Sequence, residues 1–266
     1  MIDKIKAAFR FFNEQRAHSL NHIPPLNALI KKEMPPWNIF FFTMDDIWEK
    51  TSISDLKRLT CLLNKHKIKG TFFITPYYDY NDLSAKKANQ LKETFKNHEI
   101  AMHGIRHNKD LIGLNPKERI YELSHCKKFL ENRLNRKIYG YRSPKFLRNR
   151  HLLEELSSSG FLYNSDQFLF RPYPFVKDKI AVIPCHDKCD PFALNVDKSE
   201  ILELIARKLV YSEISGKPYV FLMHAYDINE KNLAILDKIL SEVKSHEFIQ
   251  SLSLSDFSKS LFKKNL

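Results

Sequence analysis

The feature that most constrains this chain is an alternation of short, wholly apolar runs with longer stretches of helical period. Runs at 38–43 (NIFFFT), 70–75 (GTFFIT), 99–102 (EIAM), 138–141 (IYGY), 161–164 (FLYN), 180–183 (IAVI) and 219–223 (YVFLM) read as strands, with 248–254 as a weaker eighth. Most are apolar on both faces, the pattern of parallel strands covered by helices. Between them lie helical stretches at 54–67, where Leu56, Leu59, Leu62 and Leu63 share one side, and at 116–134, which opens with Pro116 in its first turn. Others span 85–97, 149–159, 198–215 and 229–244. Strand then helix, repeated with right-handed crossovers, gives a parallel sheet, and this many units favour closure. The expected fold class is therefore α/β, a distorted (β/α) barrel of seven or eight parallel strands over 38–266.

Residues 1–37 stand outside that alternation. Ile2, Ile5, Phe9 and Phe12 recur at helical spacing while Lys4, Lys6, Arg10 and Arg16 face elsewhere, and Pro24, Pro25, Pro35 and Pro36 mark an irregular connector behind this amphipathic helix. Such a helix either caps the bottom of the barrel or lies in a membrane interface. With 266 residues the chain matches one large α/β barrel, and 6 glycines with 12 prolines exclude collagen-like and propeller-like repeats. Lys+Arg 43 against Asp+Glu 31 leaves a charge of +12, so anionic partners are expected. The four cysteines form no C-x2-C pair, and the Cys185 to Cys189 spacing matches no common structural-zinc pattern, so a reducing compartment fits. The opening segment carries charge throughout, without a signal-peptide core, and no apolar run reaches about 18 residues, so neither export by the usual route nor a membrane span is expected.

In a parallel barrel the reactive groups collect where strands end, because the loops there form the open mouth. Asp45 and Asp46 follow the first strand, His103 and His107 the third, Arg142 lies at the fourth, Asp166 near the fifth and His224 after the seventh. Two imidazoles four apart meet on one side if a helical turn joins them, although with 11 histidines in the chain the pair alone carries little weight. A carboxylate strengthens it: two histidines with one carboxylate hold a divalent ion and leave a position open for water, and Asp46 can complete that set. An Asp-Asp pair is ordinarily a helix cap or turn. Here it directly follows a wholly apolar strand, where two carboxylates repel unless one binds a cation.

At these residues the chain resembles the polysaccharide deacetylases of the NodB-homology group, carbohydrate esterase family four. Their T-F-D-D motif is matched by Thr43-Met44-Asp45-Asp46 and their H-[ST]-x-x-H motif by His103-Gly104-Ile105-Arg106-His107. An R-x-P element follows as Arg142-Ser143-Pro144, the fourth-motif aspartate as Asp166, and L-x-H as Leu222-Met223-His224. The resemblance spans about 38 to 255. It implies that Asp46, His103 and His107 ligate one divalent ion, zinc first among them, that Asp45 is the general base oriented by Arg142, and that His224 is the general acid held by Asp166. It also implies an N-deacetylase, and these roles suit amide hydrolysis, which needs a polarised carbonyl, an activated water and a proton for the leaving amine.

Gly104 stands where the family carries a hydroxyl residue, Lys145-Phe146 where secreted members often carry an aromatic-glycine pair, and Gln167-Phe168 where a tryptophan is usual. These departures look more like the branch that deacylates amino sugars linked to undecaprenyl phosphate, in envelope glycan or lipopolysaccharide modification. Lys145 and Arg148 would face the phosphate, and His186 and Asp187 would touch substrate from a loop at the mouth. The expected setting is cytoplasmic, peripheral at the anionic inner face of the membrane. A deacetylase of soluble oligosaccharide or another small amide is the alternative within the class. A non-catalytic barrel binding anionic glycan or nucleic acid is the alternative outside it, although the chain contains no recognised nucleic-acid module.

Overall fold

The computed structural model describes residues 37–78, 81–107, 111, 113–167, 173–185, 191–192, 197–246 and 249–264. The helix and connector expected over 1–37 lie outside them apart from Trp37, and so do His186 and Asp187. The first half runs β1 (Ile39–Ile47), α1 (Ile53–Lys65), β2 (Gly70–Ile74), β3 (Tyr77–Tyr78), β4 (Asn81–Asp82), α2 (Ala85–Thr94), β5 (Glu99–His103), α3 (Pro116–Leu134) and β6 (Gly140–Arg142). The second runs α4 (Leu152–Ser158), β7 (Tyr163–Asn164), β8 (Phe175–Lys177), β9 (Ile180–Val182), α5 (Lys198–Ser215), β10 (Tyr219–His224), α6 (Glu230–Ser245), β11 (Gln250–Ser251) and α7 (Leu254–Lys264). Local chemistry sets several of these ends. Asn115 and Glu118 exchange hydrogen bonds in a capping box ahead of Pro116, Asp197 caps α5, and left-handed Gly216 stops it.

The main sheet is ordered β10-β1-β2-β5-β6-β7-β9-β8, parallel except for β8 on β9, with β11 paired to the start of β1. It curls into a half-barrel: among the described residues no ladder joins β10 to β8, so the α/β barrel is distorted and open rather than closed by pairing. Strand alternation splits the apolar residues into two cores. Phe40, Phe42, Met44, Phe72, Ile74 and Met102 pack outward against the helices, while Phe41, Phe73, Ala101, Val220 and Leu222 line the concave face. Leu254, Phe257 and Leu261 of α7 fill that concave core from within.

The expected eighth strand is therefore corrected. Among the described residues of that stretch only Gln250–Ser251 pairs, because the Ser253 hydroxyl accepts from Asp256 N–H and turns the chain into α7. The docking of that helix rests on a buried carboxylate. Glu99 Oε2 accepts from Thr71 Oγ1 at 2.9 Å and from Ser255 N–H at 2.9 Å, and Oε1 accepts from Tyr163 Oη at 2.9 Å. Burial pushes the Glu99 carboxyl up, against those hydrogen bonds.

The Tyr163 ring reaches Glu99 by crossing Gly140, where a Cβ would lie 1.9 Å from ring carbon Cζ. Gly140→Ala must displace either that ring or β6. The expected result is a loss of about 1–3 kcal/mol in urea unfolding, the range for overpacking a filled core; an unchanged midpoint would show that the ring is not confined there.

Candidate active site

The same alternation that divides the cores selects the site. Positions 39, 41, 43 and 45 of β1 face the concave side, as do 101 and 103 of β5 and 220, 222 and 224 of β10. Pairing brings their ends level: Asp45 lies opposite His224 across β1 and β10, and His103 opposite Arg142 across β5 and β6. Asp46 has the wrong parity for this face. The register of β1 against β2 shifts between Met44 and Ile47, and Asp46 sits in the left-handed region at φ 61, so a bulge inside the strand turns its side chain back toward its neighbour's. The Asp pair is thus part of β1 and not the turn that follows it.

His103 and His107 meet in a different way from the expected helical turn. His103 ends β5, and the next four residues form a bend in which Gly104 at φ 59 and His107 at φ 63 are both left-handed. His107 Nε2 lies 2.6 Å and His103 Nε2 3.2 Å from Asp46 Oδ1, and donor atoms of all three residues lie within 4.8 Å of one another. This is the one such cluster among the described residues.

Two observations show that the donor set fits a divalent ion. His103 Nδ1 is 3.2 Å from the Arg142 carbonyl oxygen, which can only accept, so the proton sits on Nδ1 and Nε2 presents a lone pair to Asp46. Asp46 Oδ1 is itself buried without a hydrogen-bond donor. Lone pairs facing one another in a buried site call for a cation, and two imidazoles with a carboxylate suit zinc, cobalt, nickel or iron.

Beside the cluster, the guanidinium of fully buried Arg142 donates to Asp45, Thr43 and Ser165. Nη1 donates to Asp45 Oδ1 at 2.8 Å and Thr43 Oγ1 at 3.0 Å, while Nε and Nη2 donate to the Ser165 carbonyl and hydroxyl oxygens at 2.9 and 2.8 Å. Its face rests 4.2 Å from the Phe73 ring centre. Asp45 is thereby held by one oxygen, and Oδ2 lies 4.0 Å from His103 Nε2.

Asp166 and His224 are placed differently from the expectation that one holds the other. Asp166 Oδ1 accepts from Ser143 N–H at 2.6 Å, and Oδ2 accepts from the Ser143 hydroxyl at 2.8 Å and Asn164 Nδ2 at 3.0 Å, so this carboxylate pins the turn after Arg142. Burial pushes it up, against those bonds. The carboxylate beside His224 is that of Asp227, which accepts from His224 N–H at 3.1 Å and lies 3.8 Å from ring Nδ1, while the Tyr226 ring stacks on the imidazole at 5.0 Å. Lys145 and Arg148 are exposed, the first left-handed within the 3-10 turn Pro144–Phe146. Sequence reasoning missed Ser143, Ser165, Asp227 and Tyr226 as neighbours of these groups; for Ser143 and Ser165 adjacency to Arg142 and Asp166 was the available signal.

The polysaccharide deacetylase family profile matches residues 32–163. Comparison with curated protein sequences finds no match. Among solved structures, a protein from Mycobacterium smegmatis assigned as a polysaccharide deacetylase aligns at 17% identity over 87% of this chain and 93% of that one, with a TM-score of 0.74. The chitin deacetylase of Colletotrichum lindemuthianum aligns at 14% identity over 84% and 88% with 0.58, and a family-four carbohydrate esterase pseudoenzyme from Bacillus anthracis at 15% over 84% and 66% with 0.58. At such identities the likeness establishes the fold. The profile spans just under half of the chain, and it agrees with the fold likeness on a polysaccharide-deacetylase-like architecture.

If the three clustered side chains form the metal centre, His107→Ala removes one of three protein ligands. Elemental analysis after brief chelation is expected to find the variant depleted while the unaltered chain retains about one ion. Stoichiometric metal in the variant would remove His107 from the ligand set.

Proposed function

We propose that this chain is a metal-dependent carbohydrate N-deacetylase that removes an N-acyl group, chiefly acetyl, from an amino sugar. The observation that carries the reading is the convergence, on one concave strand-end face, of the Asp46-His103-His107 cluster with an Asp45 whose carboxylate Arg142 holds in place. A divalent ion held by those three residues, with zinc the first choice for the donor set, would polarise the amide carbonyl and favour ionisation of water. Asp45 is the general base: with Oδ1 engaged by Arg142, Oδ2 is the oxygen that takes the proton of the attacking water. His224, paired across from Asp45 in the adjoining strand, is the general acid that gives a proton to the leaving amine. Arg142 orients Asp45, and Asp166 pins the turn that follows Arg142 through Ser143.

For the substrate, our reading is an N-acylated amino sugar on a polyprenyl phosphate such as undecaprenyl phosphate, met at the inner face of the membrane. Its support is the charge of +12 and the exposed Lys145 and Arg148 just past the strand end that carries Arg142, where a phosphate could pair with them. Among the described residues no helix is long and apolar enough to cross a membrane.

Acetate release is the test, with a polyprenyl-phosphate-linked N-acetylamino sugar in anionic vesicles set against soluble N-acetylated oligosaccharide. Preference for the lipid-linked substrate that Lys145→Ala/Arg148→Ala abolishes is the expected outcome; equal or better turnover of the soluble one would overturn the lipid-linked reading and leave the deacetylase. With whichever substrate works, the pH–rate profile should be bell-shaped, and Asp45→Asn should lose roughly 10²–10⁴-fold in rate while keeping its metal. Near-normal turnover in Asp45→Asn would refute the base assignment, and a metal-loaded chain with no turnover on either substrate would favour a silent, glycan-binding barrel.

A further inference from the structure

Of the three clustered side chains, His107 has the least evident support. His103 is fixed by the hydrogen bond to the Arg142 carbonyl, and Asp46 by the strand on either side of its bulge. His107 lies four residues past the end of β5, in a left-handed conformation that strains any residue with a side chain. Among the described residues no hydrogen bond holds its Nδ1; what its ring meets, apart from Asp46, is two other rings, Tyr78 at 4.9 Å and His103 at 5.4 Å.

Tyr78 belongs to the β3–β4 hairpin, which pairs only within itself and adds nothing to the main sheet. Its contacts show what it does instead. Tyr77 N–H donates to the Ile105 carbonyl at 3.1 Å, inside the bend between the two histidines. The Tyr77 ring lies 5.8 Å from the Arg106 guanidinium carbon and packs on Phe129 of α3 at 4.8 Å, which anchors that side of the hairpin. Successive strand residues point to opposite faces, so Tyr78 turns the other way, onto His107. Behind Tyr78 stands Trp48, ring centres 4.4 Å apart at 32°, and the next step, Tyr78 to His107, repeats nearly the same tilt at 36°. Three rings in this offset array restrict one another's rotation, as tilted aromatic pairs do at such separations.

We infer that the β3–β4 hairpin is a clamp on the metal-binding bend, and that Tyr78, backed by Trp48, is a positioning residue that holds the His107 imidazole toward Asp46 and His103. The inference rests on the metal reading proposed above. It assigns to ring packing the orienting task that a hydrogen bond performs for His103 and for most metal-bound histidines.

The test uses the full chain with Zn²⁺ and Co²⁺ as probes. Zinc affinity is measured by competition with a chromophoric chelator, and the visible spectrum of bound Co²⁺ reports the ligand arrangement without any need for turnover. Tyr78→Leu keeps apolar bulk but removes the ring, and is expected to weaken zinc binding about ten-fold and alter the Co²⁺ spectrum; Tyr78→Phe keeps the ring and should restore both. Trp48→Leu, which leaves the hairpin untouched, should shift both in the same direction by less, and it decides the matter if Tyr78→Leu fails to fold. Zinc affinity within two-fold of the unaltered chain with an unchanged Co²⁺ spectrum, or failure of Tyr78→Phe to restore them, would overturn the clamp. His107→Ala separates the two levels: if it loses zinc while Tyr78→Leu does not, the clamp alone falls, and if it too keeps zinc, the metal reading falls with it.

Discussion

A guanidinium with no access to water sets the terms for the rest of this structure. Desolvating Arg142 and its partner Asp45 costs several kcal/mol per ion, and an arrangement of this kind persists only when nearly every donor is matched. Here Asp45, Thr43 and both oxygens of Ser165 supply the match, and the Phe73 ring covers the open face. Those partners sit on β1, β2 and the segment after β7, so their relative positions must hold together or the charge is stranded. The residue also works through its backbone: its carbonyl accepts from His103 Nδ1 and from Gly104 N–H at 3.0 Å. One residue thus orients the proposed base with its side chain and the His103 imidazole with its main chain.

Several departures from ordinary backbone geometry lie at the same end of the barrel, while Lys67, Asn135, Asp178 and Lys179 take positive φ in connections elsewhere. Asp46, Gly104, His107, Lys145 and Phe146 all have positive φ, and all lie in or just beyond strand ends at the mouth. Strain of this kind survives where the surroundings over-determine it. The bulge in β1, the bend after β5 gripped by the β3–β4 hairpin, and the Ser143 turn pinned by Asp166 provide that surrounding structure. Toward the base, the inner face is occupied by apolar side chains and by α7, whose first turn is tied to Glu99. A rigid, filled base beneath a mouth of strained turns is a sound way to keep reactive groups in fixed mutual geometry.

What could be read from sequence was what depends on short stretches of chain. Short runs apolar on both faces located seven of the parallel strands of the half-barrel, and helical spacing with Pro116 located α3. The seven candidate residues at strand ends were legible because a parallel sheet brings the carboxyl ends of all its strands to one edge, so order along the chain becomes proximity in space. The brief β11 and the switch into α7 were not, since 248–254 is apolar enough for either state and only the Ser253 cap and the waiting concave core decide between them.

The chain alone therefore determined which strands form, which residues stand at their ends and that their types suit a divalent ion, because alternation, spacing and donor chemistry are local properties. Tertiary structure decided how those residues face one another. Alternation would have sent Asp45 and Asp46 to opposite sides; the bulge against β2 brings them to one. The two histidines were legible as a pair, but a left-handed bend joins them where a helical turn was expected, and that bend is held by a hairpin one strand–helix repeat earlier, through Tyr77 N–H on the Ile105 carbonyl. The partner of Asp166 turned out to be Ser143, and Asp227 lies beside His224. A carboxylate's partner depends on side chains that reach across strands, and those distances exist only once the sheet has curled.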